Sequence, residues 1–182
     1  MTSPVPHDAP IQSFSNCHDG ITAQLHELAR LPALLESARQ ARAIAQGLLT
    51  FFRDVVVEHH AEEERELFPA VLASATAGDE HDRIAAIVAR LTAEHRRVEA
   101  TWHALEPAIK RAARGEDAAL DGADVAALVA DYRGHAAYEE AEFLPMAQQI
   151  LGRNSNHMAA LGLSLHLRHA VPELLKGGAF RL

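Results

Sequence analysis

Two stretches of this sequence set a histidine and a glutamate at the spacing from which both can grip one cation. The first is His59-His60-Ala61-Glu62-Glu63-Glu64-Arg65-Glu66-Leu67-Phe68-Pro69 and the second His135-Ala136-Ala137-Tyr138-Glu139-Glu140-Ala141-Glu142-Phe143-Leu144-Pro145. On an α-helix, residues i and i+4 stand one above the other on the same face. His59 with Glu63, and His135 with Glu139, can therefore each present an imidazole nitrogen and a carboxylate oxygen to one ion, or to two adjacent ions. One such pair is weak evidence, since i,i+4 polar contacts are ordinary on helix surfaces. A pair duplicated together with its following apolar pair and proline is a far more specific signal. Both pairs also continue apolar seams, through Phe52 and Val56 in one case and Leu128 and Tyr132 in the other.

Two further histidines follow from the same duplication. His18 and His26, with Ile21, Leu25 and Leu28 around them, reappear as His95 and His103 with Val98, Trp102 and Leu105. The repeating unit is a helix with a histidine, a turn, and a helix with His-xxx-Glu, present twice. Two helical hairpins can bury each other's apolar faces, so the expected fold class is all-α: an up-and-down four-helix bundle with a short additional C-terminal helix. In such a bundle, residues at one height are equidistant from the turn between them. The midpoint of His59 and His95 is 77, within Thr76-Ala77-Gly78; that of His95 and His135 is 115, which is Gly115; that of His18 and His59 is 38.5, inside Ser37-Ala38-Arg39-Gln40. Two of the three fall on glycine turn signals, and the third predicts a turn at an unmarked sequence. All four histidines then share one layer, with Glu63 and Glu139 about 6 Å further along the axis.

The elements that must carry these residues are legible as helices. The apolar residues, 48% of the chain, are mostly Ala, Leu and Val, and aromatics are only 5%, which favours helices over sheets. A pattern from Phe14 runs through Ile21, Leu25, Leu28, Leu31 and Leu35, with Pro32 placed to kink or interrupt it. A second runs from Ile44 to the region of Pro69–Ala75. Ala77-Gly78-Asp79 supplies a turn and an N-cap for the third, from Ile84 to Ile109, which stops at Arg114-Gly115-Glu116. The fourth starts at Asp121 or Asp124 and reaches Ile150. Residues 1–13 read as a flexible tail, 14–151 as the bundle, and 152–182 as a C-terminal helix that covers one flank or makes a homodimer contact.

Four imidazoles and two carboxylates converging inside a bundle describe a two-metal site. Ions roughly 3.5–4 Å apart need bridging oxygens to offset their repulsion, and glutamates supply them. The mixture of imidazole and carboxylate points to iron, with manganese and zinc behind it. Six protein ligands leave coordination positions free for solvent, an oxo or hydroxo bridge, or dioxygen, nitric oxide or peroxide. With His18, His59, Glu63, His95, His135 and Glu139 in this order, and with Leu67-Phe68-Pro69 and Phe143-Leu144-Pro145 behind the two pairs, the sequence resembles the hemerythrin-like (HHE cation-binding) family over about residues 14–151. The resemblance implies a non-haem di-iron centre in a left-handed four-helix bundle, with those six residues as ligands. Oxygen-carrying hemerythrins have a His-xxx-His on the third helix, whereas here Leu91 precedes His95 by four and Glu99 follows it by four. The ligand pattern is closer to iron-sulfur-cluster repair di-iron proteins and bacterial hemerythrin-like proteins. Small-ligand binding for sensing or stress response is the leading reading, and detoxification of peroxide or nitric oxide, or cluster repair, the enzymatic alternative.

Other residues have plainer readings. Glu99 reads as a solvated position ahead of a seventh ligand; His26 and His103 as polar flank; His60 and Glu62 as facing away from the site into solvent. His166 and His169, at i,i+3, make a weak second metal pair. Leu25, Phe52, Val56, Val98, Trp102 and Leu128 are the candidate apolar wall. A net charge of −8 without a Lys/Arg cluster argues against nucleic acid as a partner. No apolar run approaches the length of a membrane span. One cysteine, Cys17, and the lack of a signal-peptide pattern at the N-terminus lead to a cytoplasmic expectation.

Overall fold

The computed structural model describes residues 9–153 of the 182-residue chain. Its helices are α1 (Ala9–Phe51), α2 (Val57–Glu62), α3 (Phe68–Ser74), α4 (Asp79–Arg114), α5 (Gly122–Tyr138) and α6 (Leu144–Leu151), with no strand among the described residues. Short π-helical segments at Phe52–Val56, Glu63–Leu67 and Glu139–Phe143 join α1 to α2, α2 to α3 and α5 to α6. Three rods result, spanning 9–74, 79–114 and 122–151. The fold is all-helical, as expected.

The two glycine-marked turns lie where the spacing predicts them. Gly78 holds φ 99° and Gly115 φ 72°, backbone conformations that a side chain strains. At Gly115 the amide bonds to Ala112 O at 2.9 Å, and a Cβ would run into the Arg42 side chain packed over it. Asp121 caps α5 by accepting from the Ala123 N–H at 2.8 Å. At the start of α4 the cap position is Gly78, which has no side chain to offer; Asp79 is already helical, and the Glu80 carboxylate accepts the Thr76 N–H at 2.6 Å instead.

The core is layered along the rods. One apolar layer joins Phe68, Val71, Ile84, Leu91, Phe143 and Ile150; another joins Ala45, Val98, Trp102, Ile109 and Leu128. In the second, Phe52 stacks face to face on Trp102 with ring centroids 3.8 Å apart. Between these layers lies a buried polar one: His60, Glu62, Glu63, Glu94, His95, His135 and Glu139. Burying so many polar groups in one slab costs free energy unless they are partnered, so the layer marks function rather than packing.

The first rod departs from expectation. The turn expected at Ser37-Ala38-Arg39-Gln40 is absent: α1 is one helix of 43 residues that opens at Ala9, inside the stretch expected to be a tail, and passes through Pro32. The tetrapeptide contains no glycine, proline or aspartate to stop a helix, and its side chains knit the turn together. Arg39 pairs with Glu36 at 2.5 Å, Gln40 donates to Glu36 at 3.1 Å, and Ser37 Oγ donates to Ala33 O at 3.2 Å. Gln46 Nε2 donates to Ala113 O at 3.0 Å, so α1 meets the C-terminal end of α4 at Arg42 and Gln46 and then overshoots it. The overshoot, residues 9–41, is about 50 Å of helix. From Gly20 to Ile44 every residue is exposed, and Ala45 is the first buried one. The expected fifth helix, with His157, His166 and His169, lies outside the described residues.

Candidate metal centre

The polar layer resolves into two triads of potential ligand atoms. His60, His95 and His135 bring ring nitrogens within 4.8 Å of one another, and so do the donor atoms of His59, Glu63 and Glu139. Glu63 links the triads, with Oε1 3.3 Å from His59 Nε2 and Oε2 3.2 Å from His95 Nε2. Glu139 Oε2 stands 3.9 Å from His135 Nε2. The rings of His60 and His95 stack at 4.0 Å, and that of His135 meets His95 edge-on at 4.7 Å.

Each of the three buried imidazoles has a carboxylate behind it. His60 Nδ1 lies 3.2 Å from Glu99 Oε1, His95 Nδ1 2.8 Å from Glu64 Oε1, and His135 Nδ1 3.4 Å from Glu94 Oε2. Glu64 and Glu99 are both held by Arg96, and Glu94 by Arg90 at 2.8 Å. At His60 and His95 the carboxylate is within hydrogen-bond reach of Nδ1, which holds the proton there and turns the Nε2 lone pair inward, the arrangement that orients a metal-binding histidine; at His135 the Glu94 carboxylate is near but not hydrogen-bonded. The three Nε2 atoms are buried and find no hydrogen-bond partner. Each such orphan costs about 1–3 kcal/mol, and three lone pairs facing one another repel besides. A cation among them removes both penalties, so the residues present fit a metal.

Charge in the layer is arranged for the same end. Burial pushes the Glu139 carboxyl up, and the neighbouring Glu63 charge adds to it, reaching about 8. Burial works to raise Glu63 too, but the His95 ring nitrogen 3.2 Å away and the proximity of His59 hold it below its ordinary value. His60 falls to about 4 through burial and the charge of His95, and His135 is lowered for the same two reasons. For His95 burial is outweighed by Glu63 and Glu64, which raise it. Neutral His60 and His135 beside an ionised Glu63 are in the protonation states that ligation requires, while His95 and Glu139, both raised, would give up their protons to a bound cation.

Of the six residues singled out by sequence, the structure gathers His59, Glu63, His95, His135 and Glu139 and leaves His18 exposed on the overhang, about 60 Å along the first rod from His59. It adds His60, fully buried where solvent was expected; Glu62 is likewise buried, and Glu99 is engaged rather than solvated. The π-helical segments explain the correction. In each, an amide reaches back five residues: Val57 to Phe52 O, Phe68 to Glu63 O, Leu144 to Glu139 O. The extra residue rotates the downstream helix by about 100°, so the seam of Phe52 and Val56 continues to His60 as well as His59. Pro69 and Pro145, each of which would clash with a carbonyl four residues back in a uniform α-helix, mark the second and third segments, but the first, which turns His60 inward, has no such mark in the sequence. His26 and His103 are exposed, as expected of flank. Val56, Val98, Trp102 and Leu128 are buried beside the site, but Leu25 is 57% exposed on the overhang.

A helical bundle whose interior holds a triad of histidines adjoining a triad of one histidine and two glutamates defines a metal-binding helical protein. The chain belongs to the family described as hemerythrin HHE cation binding domain, whose family model matches residues 9–147. No curated protein and no solved structure gives a significant match.

Proposed function

We propose that the chain is a non-haem di-iron protein that binds dioxygen, nitric oxide or peroxide in sensing or stress response. His60, His95 and His135 hold one ion, His59 and Glu139 the other, and Glu63 reaches both. Bound there, iron supplies open coordination positions at which a small ligand attaches. The chain's own residues do the rest. Glu64, Glu94 and Glu99 fix the imidazole orientations, and Val56, Val98, Trp102 and Leu128 exclude water from one side. Family membership and the convergent Nε2 atoms support the reading, and the single observation that carries it is the trio of buried, carboxylate-backed imidazoles with no partner at Nε2. No helix among the described residues is long and apolar enough to cross a membrane, and the lone Cys17 suits the cytoplasm.

The deciding measurement is metal analysis of purified protein paired with a visible spectrum. Two iron equivalents per chain with charge-transfer absorption is the expected result; zinc in their place, or no metal after iron loading, overturns it. A catalytic reading, reduction of peroxide or nitric oxide or repair of iron-sulfur clusters, draws on one observation. The His59 side chain is 33% exposed, so the second triad opens toward solvent. Sustained consumption of added peroxide by the reduced, iron-loaded protein favours it over reversible binding.

A further inference from the structure

The overhang of α1 and the body of the molecule are each unfinished, and in complementary ways. The overhang displays Ile21, Leu25, Leu28, Leu31, Leu34 and Leu35, each between 45% and 59% exposed. Large aliphatic side chains at these spacings form the kind of stripe that a helix buries against other helices. The body carries an almost wholly apolar groove of about 350 Å³, walled by Phe52 and Val56 from the first rod and Val125 and Val129 from the third, with Trp102 and Leu105 of α4 at its floor. A groove between the first and third rods, floored by the second, is the slot for a fourth helix. At its inner end Val56 and Tyr132 lie one turn short of His59 and His135.

The geometry points to a second copy of this chain as the occupant: two molecules exchange their α1 overhangs, and His18 of each completes the half-open triad of the other. The inference rests on the metal-centre reading for the role of His18, though not for the exchange itself. Because α1 runs unbroken and cross-knit through 33–40, the overhang leads away from its own groove. A two-fold axis perpendicular to the helix at the level of position 38.5, passing beside it at about half the 8–10 Å spacing of packed helices, sends it into the partner's groove instead. That axis lies only about 5 Å beyond Arg42, where the helix leaves the body, so the two bodies abut end to end. The operation satisfies three conditions at once. The incoming helix runs antiparallel to the first rod of the partner body, as an up-and-down bundle requires. His18 arrives at the height of the partner's His59, since both are equidistant from 38.5. Leu25, seven residues closer to the axis, arrives at the level of Leu128, seven residues before His135, and so above the groove. Exchange of an identical element between protomers is a low-cost route to a symmetric dimer.

Two measurements test it, one independent of metal. In a Cys17→Ser background, the pair Leu25→Cys with Val129→Cys should oxidise to a covalent dimer on a non-reducing gel, while the unoxidised protein has twice the chain mass by light scattering. A disulfide within one chain, a monomeric mass, or a dimer with no cross-link overturns the exchange; the occupant is then the chain's own overhang folded back, or residues 154–182. In the second, His18→Ala and His95→Ala chains are co-expressed. Random pairing of exchanged dimers rebuilds about a quarter of the complete sites, each from the His18→Ala body and the overhang of the other chain. Metal content no higher than the average of the two variants alone overturns His18 as a ligand given in exchange. Interchain cross-linking in a protein that takes up no metal would sink the metal-centre reading and leave the exchange standing; a metal-loaded monomer would do the reverse.

Discussion

The two triads of the polar layer share one slab but are built to different specifications, one of three histidines and the other of a histidine and two glutamates. In the His60, His95 and His135 triad every ring is at most 2% exposed and every Nδ1 faces a carboxylate. The His59, Glu63 and Glu139 triad has one imidazole, a third exposed, and two carboxylates, one of them shared. The first is a pre-organised pocket whose ligands cannot turn away, and the second is open and anionic. An enclosed set of neutral donors sets affinity; an open, carboxylate-rich set leaves room for exchange of a small ligand. The difference gives each triad a distinct response to substitution.

The largest effect is expected where the triads join. Glu63→Ala removes the one side chain that touches both, and bound iron should fall from two equivalents to one or fewer. Unchanged stoichiometry would mean that the triads act independently. His135→Ala takes a ring from the enclosed triad alone and should cost the tighter of the two ions; titration with iron should then show one weak site. If instead the weaker site disappears, the ranking of the triads is reversed. Glu99→Gln sharpens the comparison further. It leaves all ligands in place but weakens the group that orients His60, and second partners of this kind are worth about 10–100-fold in metal affinity. A competition titration should show that loss at one ion and not at the other.

How much of this was legible in the sequence depends on what kind of residue carried the information. The turns at Gly78 and Gly115 were readable because a positive φ selects glycine, and Asp121 because a cap needs a short acceptor. With those fixed, the heights of His59, His95 and His135 followed from spacing alone. Position 38.5 offered no such residue, and an equal-height rule cannot tell a turn from a two-fold axis, since both place His18 and His59 level. His60 was missed for a different reason. A periodicity of 3.6 assumes a uniform helix, and a π-helical segment adds a residue without any change in hydrophobicity, so the seam moves silently. The duplicated prolines, 76 positions apart, mark only the segments that follow at Glu63–Leu67 and Glu139–Phe143, and the one at Phe52–Val56 left no trace. Glu64 and Glu94 were equally invisible, and Glu99 was read as solvated, because a carboxylate that backs a histidine on another rod has no sequence spacing to betray it.

The smallest effect separates the triads by protonation. In the metal-free protein Glu139 is raised to about 8, and His95 also titrates above its ordinary value, while His60 and His135 are lowered. Above about pH 7.5, a unit beyond the ordinary histidine value, the two lowered histidines are neutral both folded and unfolded, so they no longer contribute to the pH dependence. Glu139 and His95 then hold more protons folded than unfolded, and stability falls as pH rises wherever the native state binds the excess. The metal-free melting temperature should therefore decline between about pH 7.5 and 8.5, as pH passes the raised Glu139 value, by roughly 2–4 °C for each kcal/mol lost in a chain of this size. Loading with metal replaces those protons and should flatten the slope. Glu139→Gln cannot ionise and should flatten it in part even without metal, leaving the share due to His95. A metal-free melting temperature that rises through the same window would mean that the open triad does not keep its proton, and that the contrast between the two halves of the site is one of exposure alone.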